Sequence, residues 1–316
     1  MKPSTPTSFR VLAVASALLC LSSYVAATSL GLHTGHDDSI AQYDQFGRWL
    51  GKPVLYRITF ADDASWQTIS SPYFLKATEE WLSSNPNRVE TISIPLLPKQ
   101  RGDANLDAIA AGQHDDTFRK LAQNLGSTHN PARIIVRLGW EMNGTWFAWS
   151  AVDNPTSYIN AFRHVVLLMR HETPQLRFEW NVANSGAHDF DWSKAYPGDD
   201  VVDVISMDVY DQYNSGWSDI LGRPGGLREF RSFAQTHHKA EAYTEWSVST
   251  SKYGHGDAPT FIENMHAWFN VPGTNVLYQA YWNTNAGGPD AAISGPSTVN
   301  VPLSSLKYRT LFSSGH

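Results

Sequence analysis

Short apolar runs alternate with amphipathic stretches along most of the chain. The runs Leu30–His33, Val54–Phe60, Thr91–Leu97, Ile134–Leu138, Leu176–Asn181, Val201–Asp208, Ala240–Trp246 and Val276–Trp282 predict eight strands. Ile134–Leu138 is apolar almost throughout, as a strand buried on both faces must be. Between them, helical spacing is expected over Asp38–Leu50, Pro72–Ser83, Asp115–Leu125, Leu227–His237, Ala258–Phe269 and Leu303–Phe312. Gly51 supplies a stop signal for the first helix. The clearest helix follows the fourth strand. There Asn154 suits an N-cap and Pro155 the first helical position, and Tyr158, Ala161, Phe162, Val165, Val166 and Met169 share one face. Strand–helix alternation predicts a parallel sheet covered by helices. Eight units over residues 28–316 predict one α/β domain, a (β/α)₈ barrel. An open doubly wound sheet is the alternative, but no glycine-rich phosphate loop follows the first strand.

The N-terminus stands apart from this pattern. Lys2 and Arg10 precede an apolar run from Val11 to Cys20, and Val25-Ala26-Ala27 offers small residues to a signal peptidase. Residues 1–27 are therefore expected to be a cleaved signal peptide. A lipoprotein signal ending at Cys20 is disfavoured by Leu19, which stands where a small residue is wanted. The chain is expected to be secreted or periplasmic. Cys20 is the sole cysteine and would leave with the leader, so no disulfide or thiolate chemistry remains. The formal charge of −6 becomes −8 once Lys2 and Arg10 are removed. An acidic chain has no electrostatic reason to seek nucleic acid or anionic lipid. No other stretch is long and apolar enough for a membrane helix. No cofactor motif or metal-ligand spacing is found. Asp199, Asp200 and Asp203 fit a solvated turn better than a calcium loop, and His237-His238 a helix end.

In such barrels the chemistry lies at the C-terminal ends of the strands. Those ends read Arg137-Leu-Gly-Trp140-Glu141-Met-Asn143, Glu179-Trp180-Asn181, Asp208-Val-Tyr210, Thr244-Glu245-Trp246 and Tyr281-Trp282-Asn283, with His33 ending the first strand. Glycosidic cleavage needs a carboxylic acid to protonate the leaving oxygen and a second carboxylate to attack carbon or activate water. Glu141 and Glu245 lie on the fourth and seventh strands and would face each other across the mouth. One glutamate at a strand end is ordinarily a solvated residue; two, flanked by aromatics, point to catalysis. The 12 tryptophans serve either as core or as sugar platforms. Trp180 stays open between the two, Trp246 and Trp282 are expected at the site, and His33 is expected to bind sugar rather than cap a helix.

The segment from Arg137 through Trp140, Glu141, Asn143 and Trp146 to Trp149 resembles the fourth-strand signature of glycoside hydrolase family 26. Tyr196 to Tyr210 resembles that family's sixth-strand segment, and Thr244-Glu245-Trp246 its nucleophile motif. The resemblance implies a retaining, endo-acting glycosidase with Glu141 as acid/base and Glu245 as nucleophile. It implies that Arg137, Asp208 and Tyr210 order the site and that Trp146 and Trp282 line sugar subsites; Trp140, Asn143 and Asn181 are further substrate-binding candidates. The family usually carries histidine before the acid/base, where this chain has Trp140. An indole donates one hydrogen bond and neither accepts nor titrates, so the substrate stays open among β-mannan, β-glucan and bacterial exopolysaccharide. Two other classes stay open as well. A polysaccharide lyase would release an unsaturated product absorbing in the ultraviolet, and a sugar-binding barrel would bind glycans without turnover.

Overall fold

The computed structural model describes residues 28–35, 39–187, 189–285, 288–295 and 299–313. The expected signal segment, residues 1–27, lies outside them, as do Cys20 and Asp38. Among the described residues the elements run β1 (Ser29–His33), α1 (Ile40–Leu50), β2 (Tyr56–Phe60), α2 (Trp66–Ser70), α3 (Leu75–Ser84), β3 (Val89–Ile94), α4 (Leu106–Ala110), α5 (Asp115–Gly126), β4 (Ile134–Leu138), α6 (Pro155–Glu172) and β5 (Arg177–Ala183). They continue with β6 (Val204–Tyr210), α7 (Trp217–Gly222), α8 (Leu227–Thr236), β7 (Ala240–Ser247), α9 (Pro259–Phe269), β8 (Val276–Trp282) and α10 (Pro302–Phe312). The eight strands pair in parallel and in sequence order, and β8 returns to β1 to close the barrel. The fold is a (β/α)₈ barrel. At the closing seam the strands approach so tightly that a Cβ on Gly31 would come within 2.8 Å of the Ala280 Cβ, so only glycine fits there.

Local chemistry explains the boundaries. The Asn154 side chain accepts from the Ser157 amide at 3.1 Å and Pro155 opens α6. The predicted apolar face, from Tyr158 to Met169, is the buried one. Gly51 ends α1 in the left-handed region, its amide donating to the Gly47 carbonyl at 2.8 Å. The short helices α2, α4 and α7 have no counterpart in the sequence reading, because one or two turns show too few periods to register. The sixth strand starts three residues later than expected, since Asp203 stops to accept from the Phe178 amide. Among the described residues no long helix joins β5 to β6. A 3₁₀ turn at Trp192–Ala195 takes its place, and Trp192 and Tyr196 pack with Trp180 and Phe233 over the gap. Trp180 is therefore core.

The barrel interior is layered. Tyr56, Ile58, Ile135, Val204, Ala242, Tyr278 and Ala280 form an apolar plug inside the sheet. Toward the C-terminal ends of the strands the inward residues turn polar: Arg137 follows Ile135, Ser206 and Asp208 follow Val204, and Thr244 follows Ala242. The larger apolar cluster lies outside the sheet, beneath the helices.

Candidate active site

The polar layer is organised by one cation. Arg137 projects inward from β4 and is fully buried. Its Nη1 donates to Ser93 Oγ at 3.1 Å and to Glu245, and its Nη2 to Asn181 Oδ1 at 3.0 Å and to Asp208. Its Nε lies 3.7 Å from Glu179 Oε1. Burial disfavours the guanidinium charge, but Asp208, Glu245, Glu179 and Glu141 more than offset this and hold the proton more firmly than in water. Four carboxyl groups thus surround one positive charge, and full ionisation of all four would leave a large uncompensated negative charge.

The structure relieves that excess at Glu141. Burial first, and then the Glu245 charge, push its pKa up to about 7, against the opposing pull of Arg137 and of hydrogen bonds to Trp146 and Asp208. Asp208 is also held well above the usual carboxylate range, by burial ahead of all else. The turn after β4 presents Glu141 to the cleft. Gly139 has φ +52° and Glu141 φ +49°, a left-handed conformation that costs a non-glycine residue about 1–2 kcal/mol. The Glu141 amide donates to Asn181 Oδ1 at 2.9 Å, and its carboxylate accepts from Trp146 Nε1 at 2.8 Å. Trp149 Nε1 donates to the Trp140 carbonyl at 2.8 Å and fixes the same turn.

Glu245 is presented differently. Along β7, Ala242 faces the barrel interior, Tyr243 faces out, and Thr244 and Glu245 both face in, toward Glu179 and Arg137 respectively. Trp246 then faces out. Both neighbouring strands register the irregularity: Ser206 pairs with Ala242 and Val209 with Trp246 on one side, Tyr243 with Gln279 and Trp246 with Tyr281 on the other. One extra residue of β7 therefore lies between the pairs, a β-bulge that re-aims a side chain. Glu245 Oε1 accepts from Arg137, and Oε2 accepts from the Tyr210 hydroxyl at 2.5 Å. Both oxygens accept and neither is required to donate, the pattern made by an ionised carboxylate.

The two glutamates open into a cleft of about 650 Å³, walled by Phe60, Trp140, Trp146, Phe147, Tyr210, Tyr213 and Trp282 among others. Trp282 stacks on His33 at 4.0 Å between ring centroids. Trp140 sits edge-on to Phe60 and Phe147 and is 7 % exposed. The Trp140 side of the cleft thus offers an apolar face. Beyond Trp146 the cleft adjoins a smaller hollow of about 340 Å³ with Asp63, Lys99 and Arg101 in its wall.

Of the residues expected at the site, Glu141, Glu245, Trp140, Trp146, Tyr210 and Trp282 border the cleft. Arg137, Asn181 and Asp208 lie beneath it as its frame; Asn181 also donates to Ser206 at 2.8 Å and Asp208 at 3.1 Å. Three expectations need correction. Trp246 is fully buried on the outer face of β7, against Phe261, Phe269, Tyr281, Tyr308 and Phe312, because its neighbour Glu245 takes the inward place. Asn143 is buried and clamps Ala183, donating to its carbonyl and accepting from its amide, each at 2.8 Å. His33 stands behind Trp282 with its Nδ1 3.0 Å from the Ile58 carbonyl, so it supports a wall rather than forming one. Phe60, Phe147, Gln212 and Tyr213 were not expected. Phe60 ends β2, and the strand-end rule that found the others would have found it too. Among the described residues no cluster of three metal-ligating side chains occurs. Asp199, Asp200 and Asp203 are engaged by His237, Arg163 and Arg170.

Residues 104–232 match the family model of glycosyl hydrolase family 26. Endoglucanase H of Acetivibrio thermocellus is 25 % identical over 97 % of this chain and 36 % of its own length. A mannan endo-1,4-beta-mannosidase of Bifidobacterium adolescentis is 27 % identical over 63 % of this chain and 23 % of its own. The chain thus spans little more than a third, or less, of these curated relatives. Among solved structures, a Cellulomonas fimi endo-beta-1,4-mannanase double mutant aligns with a TM-score of 0.67 at 17 % identity, covering 90 % of this chain and 70 % of that one. That likeness concerns the fold.

Proposed function

We propose that the chain is a member of glycosyl hydrolase family 26, whose model matches residues 104–232, and a secreted retaining glycosidase that cleaves a β-linked polysaccharide internally. Glu245 is the nucleophile and Glu141 the acid/base. The observation that carries this reading is the contrast between the two carboxyl groups. Glu245 is pinned by Arg137 and Tyr210 as an acceptor on both oxygens. Glu141 is raised to about 7, so it keeps a proton to give near neutrality.

In the first step a Glu245 oxygen attacks the anomeric carbon and forms a glycosyl ester. Glu141 passes its proton to the glycosidic oxygen, and the leaving chain departs as an alcohol. In the second step Glu141, now ionised, takes a proton from water. The water oxygen attacks the same carbon and releases Glu245. Two inversions give net retention. The names of the relatives, an endoglucanase and a mannan endo-mannosidase, favour a β-linked glucan or mannan backbone. Trp140, where the family's usual residue is a histidine, favours a sugar that offers an apolar face at the cleavage point. Residues 1–27 have the pattern of a secretory leader, which fits a polymeric substrate outside the cell.

The test is proton NMR of the first product released from purified β-glucans and β-mannans. The β-anomer must appear before mutarotation; initial formation of the α-anomer refutes the double displacement. Absence of hydrolysis across the whole panel refutes the substrate class.

A further inference from the structure

On the β6–β7 side of the cleft stand two large exposed side chains. Tyr213 follows β6 and Tyr253 follows β7; each is 52 % exposed. Their rings stack, with centroids 4.6 Å apart and planes 29° from parallel. Tyr213 borders the cleft, and Tyr253 lies against it. Aromatic rings left this open to water contribute little to the core, yet the surrounding chain is built to hold them.

Tyr213 has φ +54°, strained for any residue with a Cβ. Its amide donates to the Tyr253 carbonyl at 3.1 Å, and the preceding Gln212 forms an antiparallel bridge with Gly254. The Gln212 side-chain oxygen accepts from the hydroxyls of Ser249 and Ser251, each at 3.0 Å. Gly254 fits because a Cβ there would come within 2.1 Å of the Ser249 carbonyl oxygen. Two separate connections are thus tied together at the point where the ring pair emerges. Strain held in place beside a cleft is a mark of function rather than of folding.

We propose that the Tyr213–Tyr253 pair is a distal sugar-binding platform, taking a pyranose ring of the polysaccharide remote from the bond that is cut. The proposal rests on the glycoside hydrolase reading. A pyranose carries an apolar C–H face that covers an aromatic ring while its hydroxyls stay hydrated, which matches an exposed, rigid ring pair at a cleft edge. Trp146 occupies the β4 side of the cleft, and the hollow beyond it touches neither tyrosine. The bound chain therefore runs across the glutamate pair from the Trp146 side to the tyrosines. Engagement on both sides of the cleavage point suits internal cutting of a long polymer.

The experiment is calorimetric binding of β-1,4-linked gluco- and manno-oligosaccharides, disaccharide to hexasaccharide, to Glu245→Gln protein, alone and combined with Tyr253→Ala or Tyr213→Gly. The glycine variant removes the ring while accepting the left-handed backbone. Affinity is expected to rise with chain length, and each tyrosine variant to lose about tenfold on the longest oligomers, equivalent to about 1.4 kcal/mol, while disaccharide affinity is unchanged. Equal loss at every length, or no loss at any, overturns the platform. Failure of the wild-type protein to cleave and of the Glu245→Gln protein to bind any oligomer overturns the glycoside hydrolase reading, and the platform with it.

Discussion

Replacing Trp146 by phenylalanine separates the electrostatic part of the proposed mechanism from its sugar contacts. The change keeps an aromatic ring in the cleft wall and removes the indole N–H that donates to Glu141 Oε2 at 2.8 Å. That donor favours the charged carboxylate, so it lowers the Glu141 pKa against the larger effects of burial and of Glu245. A hydrogen bond to a charged group contributes about 1.5–3 kcal/mol when water is excluded. Trp146 is 50 % exposed, and water replaces part of the lost bond, so about 1 kcal/mol is the reasonable upper figure. At about 1.4 kcal/mol per pKa unit, the Glu141 carboxyl rises by at most about 0.7 unit. The acid works in its protonated form, so kcat/KM of the parent falls as pH climbs past about 7. In Trp146→Phe the protonated form persists to higher pH and the alkaline limb moves upward. The assay is kcat/KM against pH on a soluble polysaccharide, with Trp146→Leu as a second variant that also removes the ring. An alkaline limb that stays put or moves down refutes the assignment of Glu141 as the acid held by this bond.

The same raised pKa predicts a stability effect. The folded state binds the Glu141 proton more tightly than the unfolded state, so stability falls as pH rises from about 4.5 to about 7; Glu141→Gln should raise the melting temperature above that window, by up to about 3 kcal/mol of stability, and leave it unchanged below. A variant equally stabilised at both ends would show that titration is not the cause. Glu245→Ala should abolish turnover on every substrate and recover partly with azide, giving an inverted glycosyl azide. Glu141→Ala should lose about 10²–10⁴-fold on polysaccharide yet give a burst of phenolate from an aryl glycoside; the reverse pattern exchanges the two roles. Gly139→Ala places a Cβ within 2.6 Å of Leu96 at a residue with φ +52°; a loss of 2 kcal/mol or more, by about 1–2 for the backbone and the rest for the clash, should appear as a lower denaturation midpoint.

The eight strands were legible because strands buried on both faces form unbroken apolar runs, and the glutamates were legible because each ends one. The facing of individual side chains was not. With both faces of the sheet buried, the apolar pattern says nothing about which residues point inward, and Trp180 and Trp246 went to the outer face while Trp282 went to the inner one. Strict alternation would have excluded Trp246 once Glu245 was placed inward. The double inward pair Thr244–Glu245 was beyond reach, since a bulge is a property of pairing between strands. The stacked tyrosines were missed for a related reason: they lie on connections distant in sequence, and only the bridge between Gln212 and Gly254 brings them together.

The bulge in β7 sets height as well as direction. A strand climbs about 3.3 Å per residue, and the inward positions of a regular strand come at every second step. Thr244 occupies the level of Glu179 and Tyr278, to both of which it is hydrogen bonded. Without the extra residue, Glu245 would fall to that level, below the floor of the cleft and among groups that already satisfy one another. The pairing with β6 would be regular and the rim would hold a single glutamate. Insertions and deletions in this strand are therefore not neutral even where they preserve every side-chain type. A homologue one residue shorter between Tyr243 and Trp246 would keep the motif and the fold while withdrawing the carboxylate from the sugar, so residue count along this strand is as diagnostic of activity as residue identity.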